Sequence, residues 1–159
     1  MDLRQLFDDL VRFETDLWNE IDAALRRDCG VALGSVNVMT VIERTPRCRV
    51  HDIAAALSIT VGGASQAVDR LEKRGHCARR PHPADRRSCT VELTAAGAAL
   101  LAAAGPVLDR ELAARLAAPL SDTALARFGA ALAALRAAAP HTPAGGGTGS
   151  SRPGQQADP

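Results

Sequence analysis

The sequence predicts a mainly α-helical protein with one small β-hairpin, and three observations lead there. Residues 51–75 read as two short helices joined only by Ile59 and Thr60; a basic hairpin follows; and apolar seams at three- and four-residue spacing occupy both ends of the chain. Helix, turn, helix, hairpin is the order of a winged helix-turn-helix. The helical ends supply a layer outside it.

Taken in order, the first helix is expected over residues 2–28. Leu3, Leu6, Leu10, Phe13, Leu17, Ile21 and Leu25 form one continuous seam, and acidic residues occupy much of the remaining surface. A single seam needs a partner, either the chain's own C-terminal helices or those of a second copy. Trp18, the only tryptophan, lies beside the seam, where packing in the core is the favoured reading. Asp28-Cys29-Gly30 closes this helix, and Ser35 is the expected cap of the next, residues 36–44, whose Val38, Met39, Val41 and Ile42 are largely buried. Thr45-Pro46 ends it. Residues 48–50 have room for a short strand beside the hairpin, and Ile53, Ala54 and Leu57 form the inner face of the helix that follows.

The second helix of the pair has two chemically different faces. Ala64, Val68 and Leu71 can pack on its neighbour, while Gly62, Ser65, Gln66, Asp69, Arg70 and Lys73 lie on the other side. Ser65 and Gln66 fall in the early turns, where a reading helix meets base edges, and glutamine can bond adenine in a bidentate manner. Arg70 and Lys73 come later and suit phosphates. Gly62 and Gly63, just after Thr60, cost roughly 1 kcal/mol each relative to alanine, but they let a backbone approach closely and leave N–H groups free for an anion.

In the hairpin, Arg79, Arg80, Arg86 and Arg87 flank a tip of Pro81, His82, Pro83 and Ala84. An arginine at such a tip can extend into the narrow minor groove, so Arg86 or Arg87 is the natural insertion residue, with Asp85 holding the guanidinium in one direction. The candidate DNA contacts are therefore Thr60, Gly62, Gly63, Ser65, Gln66, Arg70, Lys73, Arg80, Asp85, Arg86 and Arg87. Residues 60–90 carry seven basic and three acidic side chains, net +4, whereas residues 1–28 carry four basic and eight acidic, net −4. An overall charge of only +1 hides this polarity, which places salt-sensitive binding at the basic end.

The run Asp85-Arg86-Arg87-Ser88-Cys89-Thr90-Val91-Glu92-Leu93-Thr94-Ala95-Ala96-Gly97 resembles the wing signature of the MarR family of bacterial transcription regulators: Asp, any residue, Arg, an apolar strand, then Leu-Thr-x-x-Gly. Val68-Asp69-Arg70-Leu71-Glu72-Lys73-Arg74-Gly75 also fits, and the resemblance runs in order over roughly residues 3–139. It implies an obligate homodimer, a wing in the minor groove of a pseudo-palindromic duplex, and a small-molecule or redox input. Some ligand-responsive members carry a tryptophan in the first helix near the effector pocket, which makes Trp18 a weak effector-binding candidate. A long helix is usual after the wing.

Here Gly105-Pro106 interrupts the stripe of Leu100, Leu101, Ala104, Leu108, Leu112 and Leu116 and is expected to kink or break that helix. Ser121 can cap a last helix carrying Leu125, Phe128, Leu132 and Leu135. The expected organisation is a single domain over 1–139, with 35–97 as the winged part and 1–34 and 98–139 as dimerisation helices. Residues 140–159, rich in Pro, Gly, Ser, Thr and Gln, are expected to be a disordered tail.

No apolar run is long enough for a spanning helix and no secretory signal is apparent, so a soluble, cytoplasmic protein is expected. Cys29, Cys48, Cys77 and Cys89 lack metal-ligand spacing. Closing the tip near residues 84–85 pairs Cys77 with about residue 93, too far from Cys89 for a disulfide. Buried, inert thiols are the favoured reading. No catalytic motif, phosphate loop or cofactor site is present, so an enzyme is rejected. The resulting expectation is an effector-responsive regulator, a repressor rather than an activator. Its rivals are a redox-sensing regulator and a winged interaction module without specific DNA binding, although the latter has no need to hold Arg70, Arg86 and Arg87 together.

Overall fold

A computed structural model describes residues 1–82 and 85–138, with the side chains of residue 82 and residues 85–88 outside the described set. The expected tail and the hairpin tip at 83–84 fall outside it as well. The elements are α1 (Leu3–Cys29), α2 (Leu33–Arg44), α3 (Val50–Leu57), α4 (Val61–Lys73), β1 (Cys77–His82), β2 (Asp85–Leu93), α5 (Ala95–Leu112), a π-helical segment (Ala113–Ala117) and α6 (Asp122–Ala138).

Asp2 caps α1 by accepting the N–H of Arg4, and Gly30 ends it in the left-handed region at φ 65°, where glycine carries no Cβ penalty. Helix α2 corrects an expectation: Ser35 is not its cap. It begins at Leu33, whose N–H donates to Asp22 Oδ1 at 2.7 Å, so a carboxylate from α1 replaces a local capping side chain. The short strand expected at 48–50 is also replaced. Asp52 accepts the N–H of Arg49 at 2.8 Å and draws that residue into the N-cap of α3, leaving one bond to the sheet, from Val91 N–H to the Cys48 carbonyl at 2.7 Å. The turn between α3 and α4 includes Ser58 at φ 52° as well as Ile59 and Thr60.

One core joins the winged part to the flanking helices. Leu25, Val36, Met39, Ile53, Val68, Leu71, Val91 and Ala104 are buried in it, and Leu17 and Trp18 pack against it half-buried. The second half of α1 packs on α5, where Asp28–Arg110 (2.7 Å) bridges the exposed edge, and Glu20–Arg115 (2.7 Å) ties α1 to the π-helical segment. Helix α5 runs through Gly105-Pro106 without the break that was one of the two outcomes expected there. Pro106 forfeits one backbone hydrogen bond, but Ala104 and Val107 on either side are buried and keep the segment helical. The π-helical segment follows directly on the last residue of α5 and leads to α6, whose entry Ser121 caps.

The first half of α1 leaves Leu3, Leu6, Phe7, Leu10, Val11 and Phe13 exposed, and α6 buries no residue. The N-terminal seam therefore divides, its second half satisfied within the chain and its first half uncovered.

Candidate nucleic-acid interface

Thr60 starts α4 by accepting the N–H of Gly63 on its hydroxyl at 3.0 Å. Ala64, Val68 and Leu71 are buried beneath the helix, while Gly62, Gln66, Asp69, Arg70 and Lys73 are exposed and Ser65 is half-buried. The faces divide as expected. Among the described residues, the side chains of Gln66, Arg70 and Lys73 have no hydrogen-bond or ion-pair partner. A Cβ built on Gly62 meets no atom within 4 Å, so nothing inside the fold requires glycine there; one on Gly63 meets Thr60 Oγ1 at 3.2 Å.

Asp69 is occupied differently from the sequence reading, which left it open on the outward face. Its carboxylate accepts from Arg79 Nη2 at 2.5 Å, and the other guanidinium nitrogen donates to Glu72. The N–H of Arg79 also donates to Glu72, at 3.0 Å. Arg79 thus ties two successive carboxylates of α4 to β1. The bonds from the Arg79 backbone and side chain hold Glu72 below the usual glutamate range. Burial opposes the charge on Arg79, yet the two carboxylates outweigh it and raise its pKa. The signal for this clamp was available, since Asp69 and Glu72 lie three residues apart on one helix face ahead of an arginine-rich strand.

The hairpin pairs Cys77 with Leu93, as expected, and Arg79 with Val91. Its register shifts between Pro81, opposite Cys89, and His82, opposite Asp85, which makes Arg86, Arg87 and Ser88 additional residues on β2. The backbone of Asp85, Arg86 and Arg87 is therefore placed in the strand, while the roles expected of their side chains lie outside the described residues. Arg80 is exposed, with Glu92 at 3.9 Å.

The base of the wing is locked to α5. Thr94 caps α5 through Gly97 N–H (3.1 Å), donates its hydroxyl proton to the Gly75 carbonyl (2.6 Å), and donates its own N–H to the His76 carbonyl (3.1 Å). The Leu-Thr-x-x-Gly run is thus a joint between the hairpin, α5 and the turn that follows α4.

Burial pushes the thiols of Cys48 and Cys77 up to about 11, while Cys89 is exposed and Cys29 half-buried. Among the described residues no group of three His, Cys, Asp or Glu side chains is arranged to hold a metal, and no helix is long and apolar enough to cross a membrane.

Helix α4, with Gln66, Arg70 and Lys73 exposed and without partners among the described residues, is fastened to a basic hairpin and completes a winged helix-turn-helix fold. Residues 33–89 match the model of the MarR family. Over 68 residues it is 32% identical to the HTH-type transcriptional regulator BilQ of Clostridium symbiosum, an alignment covering 43% of this chain and 47% of that one, so the likeness spans about half of the curated relative. Its fold is similar to that of Sco3205, a MarR family transcriptional regulator from Streptomyces coelicolor solved in complex with DNA (TM-score 0.77, 24% identity, 84% of this chain and 88% of that chain). It is also similar to CouR from Rhodococcus jostii RHA1 bound to p-coumaroyl-CoA (TM-score 0.70, 22% identity, 79% and 87%). BilQ and Sco3205 are both transcriptional regulators.

Proposed function

We propose that the protein is a sequence-specific, double-stranded-DNA-binding transcription regulator that acts as a cytoplasmic homodimer and as an effector-responsive repressor. One observation carries the reading: Gln66, Arg70 and Lys73 stand exposed and unengaged on a helix that Arg79 fastens to a basic wing. In this reading Ser65 and Gln66 meet base edges, while Arg70, Lys73, Arg80, the Thr60 hydroxyl and the Gly62 N–H meet phosphates; the Gly63 N–H, expected to be free for an anion, is instead held by Thr60. Arg86 or Arg87, oriented by Asp85, enters the minor groove.

The exposed Leu3, Leu6, Phe7, Leu10, Val11 and Phe13 and the unburied α6 support a second copy as their cover, since an apolar seam of this length in water is a liability for a monomer. Residues 1–34 and 98–139 would then form the dimer layer around the winged part at 35–97. The effector is a small molecule acting at the junction of the two, by analogy with CouR and its p-coumaroyl-CoA. Trp18, half-buried there, is the residue of this chain to test.

The test is selection of bound duplexes from a random-sequence pool by the purified protein. Enrichment of an inverted repeat supports the reading, and a pool that stays random after repeated rounds refutes it in favour of an interaction module.

A further inference from the structure

We infer that the turn between α2 and α3 is a second phosphate-binding edge of the wing, in which Arg47 and Arg49 hold the DNA backbone on the side of β2 away from β1. The inference rests on the DNA-binding reading above and extends it to residues with no role there.

Three observations carry it. The Cys48 carbonyl accepts from Val91 N–H at 2.7 Å, so this turn lies along the outer edge of β2, with β1 and its Arg79 and Arg80 along the other. Cys48 is 1% exposed while Arg47 and Arg49 are both exposed, so the two guanidinium groups project from either side of a buried anchor. Among the described residues neither side chain has a hydrogen-bond or ion-pair partner; the nearby Asp52 carboxylate takes the backbone N–H of Arg49. By contrast, Arg79, Arg110 and Arg115 are each paired.

The backbone supplies a further clue. Arg47 has φ 54°, a conformation in which a side chain is disfavoured and glycine is free. The fold would accept glycine at this exposed position, yet an arginine is held there, which points to work for the cation outside the fold. Val91 lies in the regular part of β2 beyond the additional residues Arg86–Ser88, so Arg47 and Arg49 would meet phosphates flanking the groove that the wing tip enters. A wing with cations on both edges can grip both walls of a minor groove.

The experiment measures affinity against salt concentration for the full-length protein on a duplex recovered by the selection above. Each phosphate contact contributes about 0.9 to the slope of log K against log salt. Arg47→Gly should lower the slope by about 0.9 per protomer, about 1.8 for the dimer, and so weaken binding about 60-fold at 0.1 M relative to 1 M salt, with base preference unchanged. Its melting temperature should equal or exceed the parent's, because glycine relieves the left-handed residue. A purely structural arginine would lower stability and affinity together. Arg47→Gly/Arg49→Ala should lose about twice as much slope, and Arg47→Lys should keep it. If the parent binds and the double variant keeps the parental slope, this inference falls alone; if the parent selects no duplex, the regulator reading falls and takes the inference with it.

Discussion

Gly97 lies so close to His76 that a Cβ built on it would stand 1.9 Å from that residue's carbonyl oxygen. The same carbonyl accepts the N–H of Thr94, so the start of α5 is pressed onto the turn between α4 and β1 with no room for a methyl group. Neither backbone can yield without opening the joint between reading helix and wing.

Gly97→Ala should therefore destabilise the protein by about 3 kcal/mol or more, at or beyond the upper end of ordinary overpacking. Gly62→Ala should do the reverse, adding about 0.5–1 kcal/mol of helix stability while weakening DNA binding, because its Cβ position is open within the fold. Urea denaturation of both variants, with binding measured alongside, checks the pair. A Gly62→Ala protein that binds DNA as well as the parent removes Gly62 from the interface.

Arg79→Ala should cost only about 1 kcal/mol of stability, since the ion pairs are partly solvated, but should weaken DNA binding further by freeing the wing from α4 and exposing two carboxylates to phosphates. Lysine should not restore binding, because one ammonium cannot reproduce the planar fork spanning Asp69 and Glu72. Glu72 has a depressed folded pKa, so its contribution is complete above the usual value of 4.5 and is lost as pH falls through the folded value. The stability of Glu72→Gln should accordingly fall less than the parent's on acidification below about pH 4.5, as read by thermal melts across that range.

Replacing Gln66 by Ala should relax preference at one base position of each half-site and leave the salt slope nearly unchanged, whereas Arg70→Ala should weaken all sequences alike and lower the slope by about 0.9 per protomer. Binding to a panel of single-base variants of the selected duplex separates the two. Unchanged preference in the Gln66 variant would remove it from the reading set.

Thiol alkylation at pH 7–8 should label Cys89 first and leave Cys48 and Cys77 nearly unreacted, since burial keeps both protonated up to about pH 11. These raised values favour the folded state below the unfolded thiol pKa, and the advantage fades as pH rises toward 11. Oxidant should leave DNA binding intact. Release by peroxide that is abolished by changing all four cysteines to serine would establish the redox-sensing alternative.

The sequence was most informative where structure is local. Spacing of three and four residues located α1, α4 and α6, and counting outward from the hairpin tip paired Cys77 with Leu93. It was least informative where a distant group decides the outcome. Asp22 caps α2 from eleven residues upstream, Asp52 turns the expected strand at 48–50 into a helix entry, and burial of Ala104 and Val107 keeps α5 intact through Pro106. In the candidate interface, exposure of Gln66, Arg70 and Lys73 followed from helical periodicity. The Arg79 clamp did not, because it depends on how β1 folds back against α4.

The central claim is that two joined copies present α4 and the wing to one duplex. Sedimentation of the full-length protein with a selected duplex and with its half-site measures this most directly. The account predicts two protomers on the full duplex, a dimer in the absence of DNA, and half-sites centred about 10 base pairs apart or a multiple of that. A free monomer that binds one protomer per duplex with undiminished affinity for the half-site would contradict it.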